Sequence, residues 1–475
     1  MSFTSVLFIF GYFPLCAVAY KLSSIIEHKS AFAEKLKLRQ WILIAASLGF
    51  YLLNAGVNTV VYLCVYVIAV YAMGKLLEKK KGVLPSALCL TVLIAVLYYC
   101  KYFNYVGELV NGIAGRKLIT VQAIIAPLGV SFVTFSAISY ILDIRRGDAE
   151  CGSFADAALY LTFFPKVASG PIVLWKNFRQ LMAHSTLSAA KYAEGIERIC
   201  LGFAKKLILA DSFGAVISQM QANMDVPTAW LCALLYMLQI YYDFAGYSDI
   251  AIGLAKLFGF DFKENFDFPY VSLSITEFWR RWHISLGEFF KEYVYIPLGG
   301  NRKGLLKTLR NIAIVFLISG VWHGAGWGYL CWGMMHGACQ IIERCLRDKK
   351  IYKKTPDAVK WICTMFVVMV GWEFFRIGGF ADTLKFIKLM FGMGSFEWIP
   401  YTWQYFLTPK TVTLLVIGIV GATVFSAPAL RKLWARTNEN KGLYAVKMII
   451  LLALFALSIV FMVNSSYSPF IYFRY

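Results

Sequence analysis

Apolar positions along the chain gather into runs separated by short charged stretches. Before residue 145 the runs lie at about 3–22, 41–54, 57–74, 84–103 and 121–142, and after residue 357 at about 358–377, 411–430 and 443–463. Runs of this kind approach the roughly 17–25 residues that a helix needs to cross a bilayer. Backbone groups in hydrocarbon must be satisfied within the protein, so the pattern predicts spanning helices. The first run, Val6 to Tyr20, lacks a basic leader and a small-residue exit, so it reads as a retained helix. A short turn is predicted at Asn54 to Asn58, between the second and third runs.

The middle of the chain departs from this pattern. Phe163 to Ile172 carries Pro165, Gly170 and Pro171, so it cannot be a plain spanning helix. Such backbone is tolerated at membrane depth only where protein buries it or where it lines a cavity. Between Lys191 and Asp211, charges such as Lys205 and Lys206 alternate with Ile196, Ile199 and Leu207, which predicts a helix lying at the cytoplasmic interface. The run at about 228–260 is interrupted by Asp243 and Asp249. Carboxylates inside apolar sequence are costly: either they face a polar cavity or they bond to neighbouring hydroxyls or arginines. Residues 261–310 are too charged to span and too aromatic for a loose loop, and predict short helices at the cytoplasmic face.

Composition agrees with the pattern. Hydrophobic residues make up 59% and charged residues 16% of the 475, against ordinary shares of about 45–50% and about 25%. The expected fold class is an all-α polytopic membrane protein, one domain over 1–475, with its catalytic segment at about 240–345. The net charge of +20 sits mostly in short loops, such as Lys75 to Lys81 and Arg344 to Lys354. That is the positive-inside pattern rather than a nucleic-acid surface, and it places both the N-terminus and the C-terminal tail outside. The eleven cysteines show no CxxC pairing and read as small buried residues.

Three of the five histidines, His283, His323 and His336, lie within sixty residues of one another. A chain this apolar has little reason to collect histidines in one segment unless they do chemistry. His323 stands 13 residues beyond Arg310, about 20 Å along a helix that begins there. A neutral imidazole so placed can take a proton from a hydroxyl. The flanking glycines permit close approach, and Trp322, Trp327 and Trp332 are expected to wall a narrow pocket. The spacing lacks HxxxH and HxxE patterns, so no metal site is expected. Walker, GxGxxG and GxSxG patterns are also missing.

These residues, with the stretches around them, resemble the membrane-bound O-acyltransferase family, in the bacterial branch typified by the alginate O-acetyltransferase membrane subunit. The resemblance is carried by Phe163-Phe164-Pro165 with Gly170-Pro171-Ile172, by Asp243-Phe244-Ala245-Gly246-Tyr247-Ser248-Asp249, and by Phe278-Trp279-Arg280-Arg281-Trp282-His283-Ile284-Ser285-Leu286. It continues through Tyr295-Ile296-Pro297-Leu298-Gly299-Gly300-Asn301-Arg302, Trp322-His323-Gly324 and the tail Ser468 to Phe473. One departure is Phe289-Phe290-Lys291-Glu292-Tyr293, where the family usually has an arginine in place of Lys291. Lysine keeps the charge but loses the planar fork.

The resemblance implies about eleven spanning helices, with interfacial and re-entrant ones, around a cytoplasmic funnel. It implies that His323 is the essential histidine and general base, that His283 is its second member, and that His336 has a supporting role. No permanently bound cofactor is expected. The donor substrate is expected to be acetyl-CoA or another acyl thioester, docking near Arg280, Arg281, Trp282, Asn301, Arg302 and Trp322, with His283 orienting its carbonyl or stabilising the oxyanion. The implied setting is the bacterial plasma membrane and its lipid, with a polysaccharide acceptor outside and an SGNH-type partner. One alternative is a teichoic acid D-alanyl transferase fed by a carrier protein. The other is a non-catalytic export module that uses the histidines as a proton relay.

Overall fold

The computed structural model describes residues 2–464, apart from 122, 123, 125, 168, 169, 221–223 and 394–399. The tail motif Ser468 to Phe473 lies outside the described residues. The chain forms two compact units, one of Met1–Ile199 with Ile250–Lys263 and one of Cys200–Asp249 with Glu264–Tyr475. Among the described residues, seven helices are long and apolar enough to cross a membrane. The apolar runs at 41–54 and 57–74 share one of them, Leu38–Lys79. The predicted turn between those runs is a single break at Gly56, whose φ of 77° is open to glycine at little cost.

The first unit builds its core from rings. Trp175 packs 4.9 Å from both Tyr140 and Tyr160, and Phe178 stacks on Phe260 at 5.5 Å. The described residues of the Pro- and Gly-interrupted stretch, 163–167 and 170–172, are buried within this unit, with Phe163 and Phe164 both 0% exposed. Lys166 is buried there too, donating to Ser136 Oγ (2.7 Å) with its ammonium 3.8 Å from the Tyr160 ring centroid. Facing outward, the spans carry Leu15, Val18 and Leu22 on one helix and Val57, Val61, Val65 and Ile68 on another. Exposed apolar stripes at helical spacing suit hydrocarbon, not water. The run at 121–142 becomes the helix Val130–Arg146, starting late because Pro127 and Gly129 (φ 72°) precede it.

In the second unit, the helix α1 (Val226–Leu257) passes unbroken through Tyr241 to Asp249, and its last residues belong to the first unit. The carboxylates it carries are paired: Asp243 with Lys206 at 2.7 Å and Asp249 with Lys205 at 2.6 Å. Lys206 also reaches Asp211 at 2.7 Å and is 1% exposed. The interfacial helix predicted for 191–211 is therefore corrected over its last turn, where Lys206 and the residues Leu207 to Ala210 are buried. A buried lysine is tolerable because two carboxylates offset its desolvation. The cradle depends on Gly246, where a Cβ would stand 2.8 Å from the Gly202 carbonyl oxygen.

Residues 261–310 form short helices as predicted, including α2 (Ile275–Arg281) and α3 (Ile284–Phe290). Next come α4 (Leu305–His323) and α5 (Trp327–Leu346), joined through Gly324 to Gly326. These two arms form a tight hairpin. A Cβ at Gly333 of α5 would stand 2.5 Å from the Phe316 carbonyl oxygen and 3.1 Å from Gly320 Cα. The run at 358–377 is α6 (Asp357–Ile377), ended by Gly378 at φ 75°, and α7 (Phe380–Met390) follows.

Candidate active site

His283 sits between α2 and α3 in the left-handed region, at φ 46°. For a residue with a Cβ this conformation is uncommon and needs support from its surroundings. Asn265 supplies that support. Its backbone carbonyl accepts from Ile284 N (2.9 Å) and its Oδ1 accepts from Ser285 N (3.2 Å) and Ser285 Oγ (2.8 Å). A backbone N–H can only donate, so the Asn265 oxygen is the atom turned towards His283, and Nδ2 donates to Ser248 Oγ at 3.0 Å. His283 Nδ1 lies 3.1 Å from the same oxygen and must carry the proton. That leaves a lone pair on Nε2, which is buried and has no hydrogen-bond partner among the described residues. Burial pushes the imidazole from 6.5 down to about 3, so the folded ring stays neutral at ordinary pH. A neutral ring in this tautomer accepts at Nε2. Orienting a donor carbonyl or holding an oxyanion would require the protonated ring.

His336 on α5 has the opposite tautomer. Trp279 Nε1, which can only donate, points at His336 Nδ1 from 3.4 Å, so in the neutral ring the proton belongs on Nε2. That nitrogen is pressed against α6, where a Cβ on Gly371 would stand 2.6 Å from it. His336 is 0% exposed and sits among the rings of Trp279 (5.3 Å), Trp332 (5.3 Å) and Phe278 (6.4 Å). It braces the hairpin against α2. The same brace uses Glu343 of α5, whose carboxylate accepts from Thr276 N and Oγ1, both at 2.9 Å, at the start of α2.

His323 is the last residue of α4 and is 4% exposed. Rings surround it: Trp322 at 4.7 Å, Trp332 at 4.9 Å and Phe375 of α6 at 5.1 Å. Trp372, also on α6, continues the layer, 6.2 Å from Trp332 and 4.7 Å from Trp282. Phe244 then stands edge-on to His283 at 4.7 Å. The three histidines thus share one aromatic layer. Trp327, expected as a pocket wall, is instead 56% exposed.

The six residues expected to hold the donor do not share one exposed surface. Arg280, Asn301 and Arg302 are exposed. Arg281 is engaged with Glu277 at 2.9 Å and Asp267 at 3.2 Å. Trp282 (1% exposed) and Trp322 (6%) belong to the buried layer. Sequence reasoning missed Asn265, because a single amide among Asp261, Lys263, Glu264 and Asp267 looks like a polar loop. Gly371, Trp372 and Phe375 were also missed, since they belong to an ordinary apolar run. No group of three or more His, Cys, Asp or Glu side chains among the described residues is arranged to hold a metal ion.

Comparison with known proteins bears on this arrangement. The family model for the membrane-bound O-acyltransferase family matches residues 57–380. The chain is 34% identical to the probable alginate O-acetylase AlgI of Azotobacter vinelandii, with 100% of both chains covered. It is 30% identical to the peptidoglycan O-acetyltransferase of Helicobacter pylori, over 83% of this chain and 80% of that one. It is 31% identical to the teichoic acid D-alanyltransferase of Streptococcus thermophilus, over 56% of this chain and 72% of that one.

Proposed function

The chain belongs to the membrane-bound O-acyltransferase family and is an O-acyltransferase; from that premise we propose that it moves an acetyl group from acetyl-CoA on the cytoplasmic side towards hydroxyls of an extracytoplasmic polysaccharide. The observation that carries the reading is the setting of His323, buried at the turn of a glycine-packed hairpin and walled by Trp322, Trp332 and Phe375. The acceptor hydroxyl gives its proton to the His323 imidazole as its oxygen attacks the thioester carbonyl. The tetrahedral intermediate then collapses, the C–S bond breaks, and the departing thiolate takes the proton back. A buried aromatic site suits this step because close packing around the ring limits access of water, the competing nucleophile. His283, with its lone pair at Nε2, holds an N–H or O–H group of the entering donor or acceptor.

Full-length similarity to alginate O-acetylases favours a polysaccharide hydroxyl as the final acceptor. The positive-inside pattern supports a plasma-membrane location with both termini outside, and the family resemblance supports a bundle of about eleven spans around a cytoplasmic funnel and an SGNH-type partner. A second reading, D-alanyl transfer from a carrier protein, is favoured by the shorter match to teichoic acid D-alanyltransferases. The two separate on donor use. Purified protein in nanodiscs together with its SGNH-type partner, given radiolabelled acetyl-CoA and alginate oligosaccharides, is expected to label the oligosaccharide. Labelling only from a D-alanyl carrier protein would overturn the acetyl reading in favour of the second.

A further inference from the structure

The segment before α2 and the surface helix α8 (Pro428–Arg436) meet at one carboxylate. Asp267 Oδ1 takes the Arg431 Nη2–H at 2.6 Å, and its Oδ2 takes the Arg281 Nη1–H at 3.2 Å. Each oxygen has its own guanidinium, so the carboxylate bridges two cations. The three side chains stay open to solvent: Arg431 keeps 44% of its surface, Asp267 40% and Arg281 27%. All three belong to the second unit. Exposed ion pairs are worth little for stability, so this bridge is easily opened.

Arg281 is held whether or not the carboxylate stays. Its Nε and Nη2 both lie 2.9 Å from Glu277 Oε1, and Nη1 also donates to the Asp267 backbone carbonyl at 3.1 Å. Moving the Asp267 side chain aside would thus free Nη1–H capacity without releasing the guanidinium. Arg431 has a second contact of its own, its guanidinium carbon lying 4.8 Å from the Phe268 ring centroid. α8 carries no buried residue, so the Arg431 side chain can follow a larger anion without disturbing a core. A pyrophosphate accepts from two guanidiniums as a carboxylate does, but with more oxygens and more charge.

The bridge stands at the outer end of the cradle that orients His283. Asp267 N donates to the Arg281 carbonyl and Ile284 N to the Asn265 carbonyl, both at 2.9 Å, which ties 265–267 alongside 281–284. The open end of this ladder holds Asp267 and Arg281, and the buried end holds Asn265 and His283. A thioester carried on a phosphorylated arm needs that layout, with an anion site outside and the reacting group inside. Arg431 also belongs to the basic stretch between two apolar runs that the positive-inside pattern assigns to the cytoplasm. It lies beyond residues 57–380, which the family model matches.

We propose that Arg281 and Arg431 bind the pyrophosphate of acetyl-CoA, and that Asp267 is the internal anion which the pyrophosphate displaces. The carboxylate neutralises the two guanidiniums until the donor arrives, then turns to solvent as phosphate oxygens take its hydrogen bonds. Arg431 therefore strengthens donor binding, while the like charge of Asp267 weakens it by competition and repulsion. The two members of one ion pair act with opposite signs, which a purely structural pair would not do. This proposal rests on the acetyl-CoA reading above.

The test is equilibrium binding of acetyl-CoA, and of acetyl-pantetheine, which has no phosphate, to the full chain in nanodiscs. Folding is checked by thermal unfolding. Arg431→Gln is expected to raise the acetyl-CoA Kd about tenfold, and Asp267→Asn to lower it about threefold or more. Neither substitution should move the acetyl-pantetheine Kd by more than about twofold. An unchanged acetyl-CoA Kd in either folded variant, or shifts of the same sign in both, would show the pair to be structural only and overturn the proposal. Equal shifts for the two ligands would take the pyrophosphate out of the site and overturn it as well. Wild-type protein that binds no acetyl-CoA would overturn the donor reading itself.

Discussion

His283 and His336 are both buried and both neutral in the folded chain, yet they are held in opposite ways. Hydrogen bonds hold His283: Asn265 fixes its proton on Nδ1 and leaves a lone pair on Nε2. Rings hold His336: one weak bond from Trp279 occupies its Nδ1, and its Nε2 abuts the space kept by Gly371. The first arrangement leaves a basic atom ready for a ligand. The second leaves an N–H on Nε2, likewise without a partner among the described residues but facing the α6 backbone at Gly371. Two histidines in similar sequence settings, each beside tryptophans, therefore differ in chemical availability because of residues far away in the chain.

The sharpest way to break this comparison is to remove the polar cradle. Asn265→Ala would leave His283 Nδ1, Ser285 N and Ser285 Oγ without their shared acceptor. Each buried orphan costs about 1–3 kcal/mol, so thermal unfolding in detergent should show a clear loss of stability. Transfer activity should fall with it, and Asn265→Asp, which keeps the accepting oxygen, should recover much of the stability. A smaller effect is expected at the ring cradle. Trp279→Phe keeps most of the packing and removes a single long hydrogen bond, costing about 0.5–1.5 kcal/mol in the same measurement. If Trp279→Phe proved the more damaging of the two, His336 rather than His283 would be the tightly specified ring.

Much of this was legible in the sequence where one local signal was enough. The run at 358–377 became Asp357–Ile377 because Pro356 and Gly378 bracket it. The histidine segment was also legible, since His283, His323 and His336 share one aromatic layer. Signals that depend on distant partners were not legible. Lys206 read as part of a helix lying at the cytoplasmic interface because helical spacing cannot distinguish an interfacial lysine from one buried between two carboxylates. One of those carboxylates, Asp243, is 37 residues away. Asn265 looked like loop material until its oxygen was seen to organise His283.

The central claim is that His323 takes the proton from the attacking hydroxyl, and single-turnover transfer from labelled acetyl-CoA by folded His323→Ala tests it most directly. The predicted result is a rate lowered by about 10²–10⁴ relative to wild type, the range expected for a placed proton acceptor. Transfer at the wild-type rate would contradict the account.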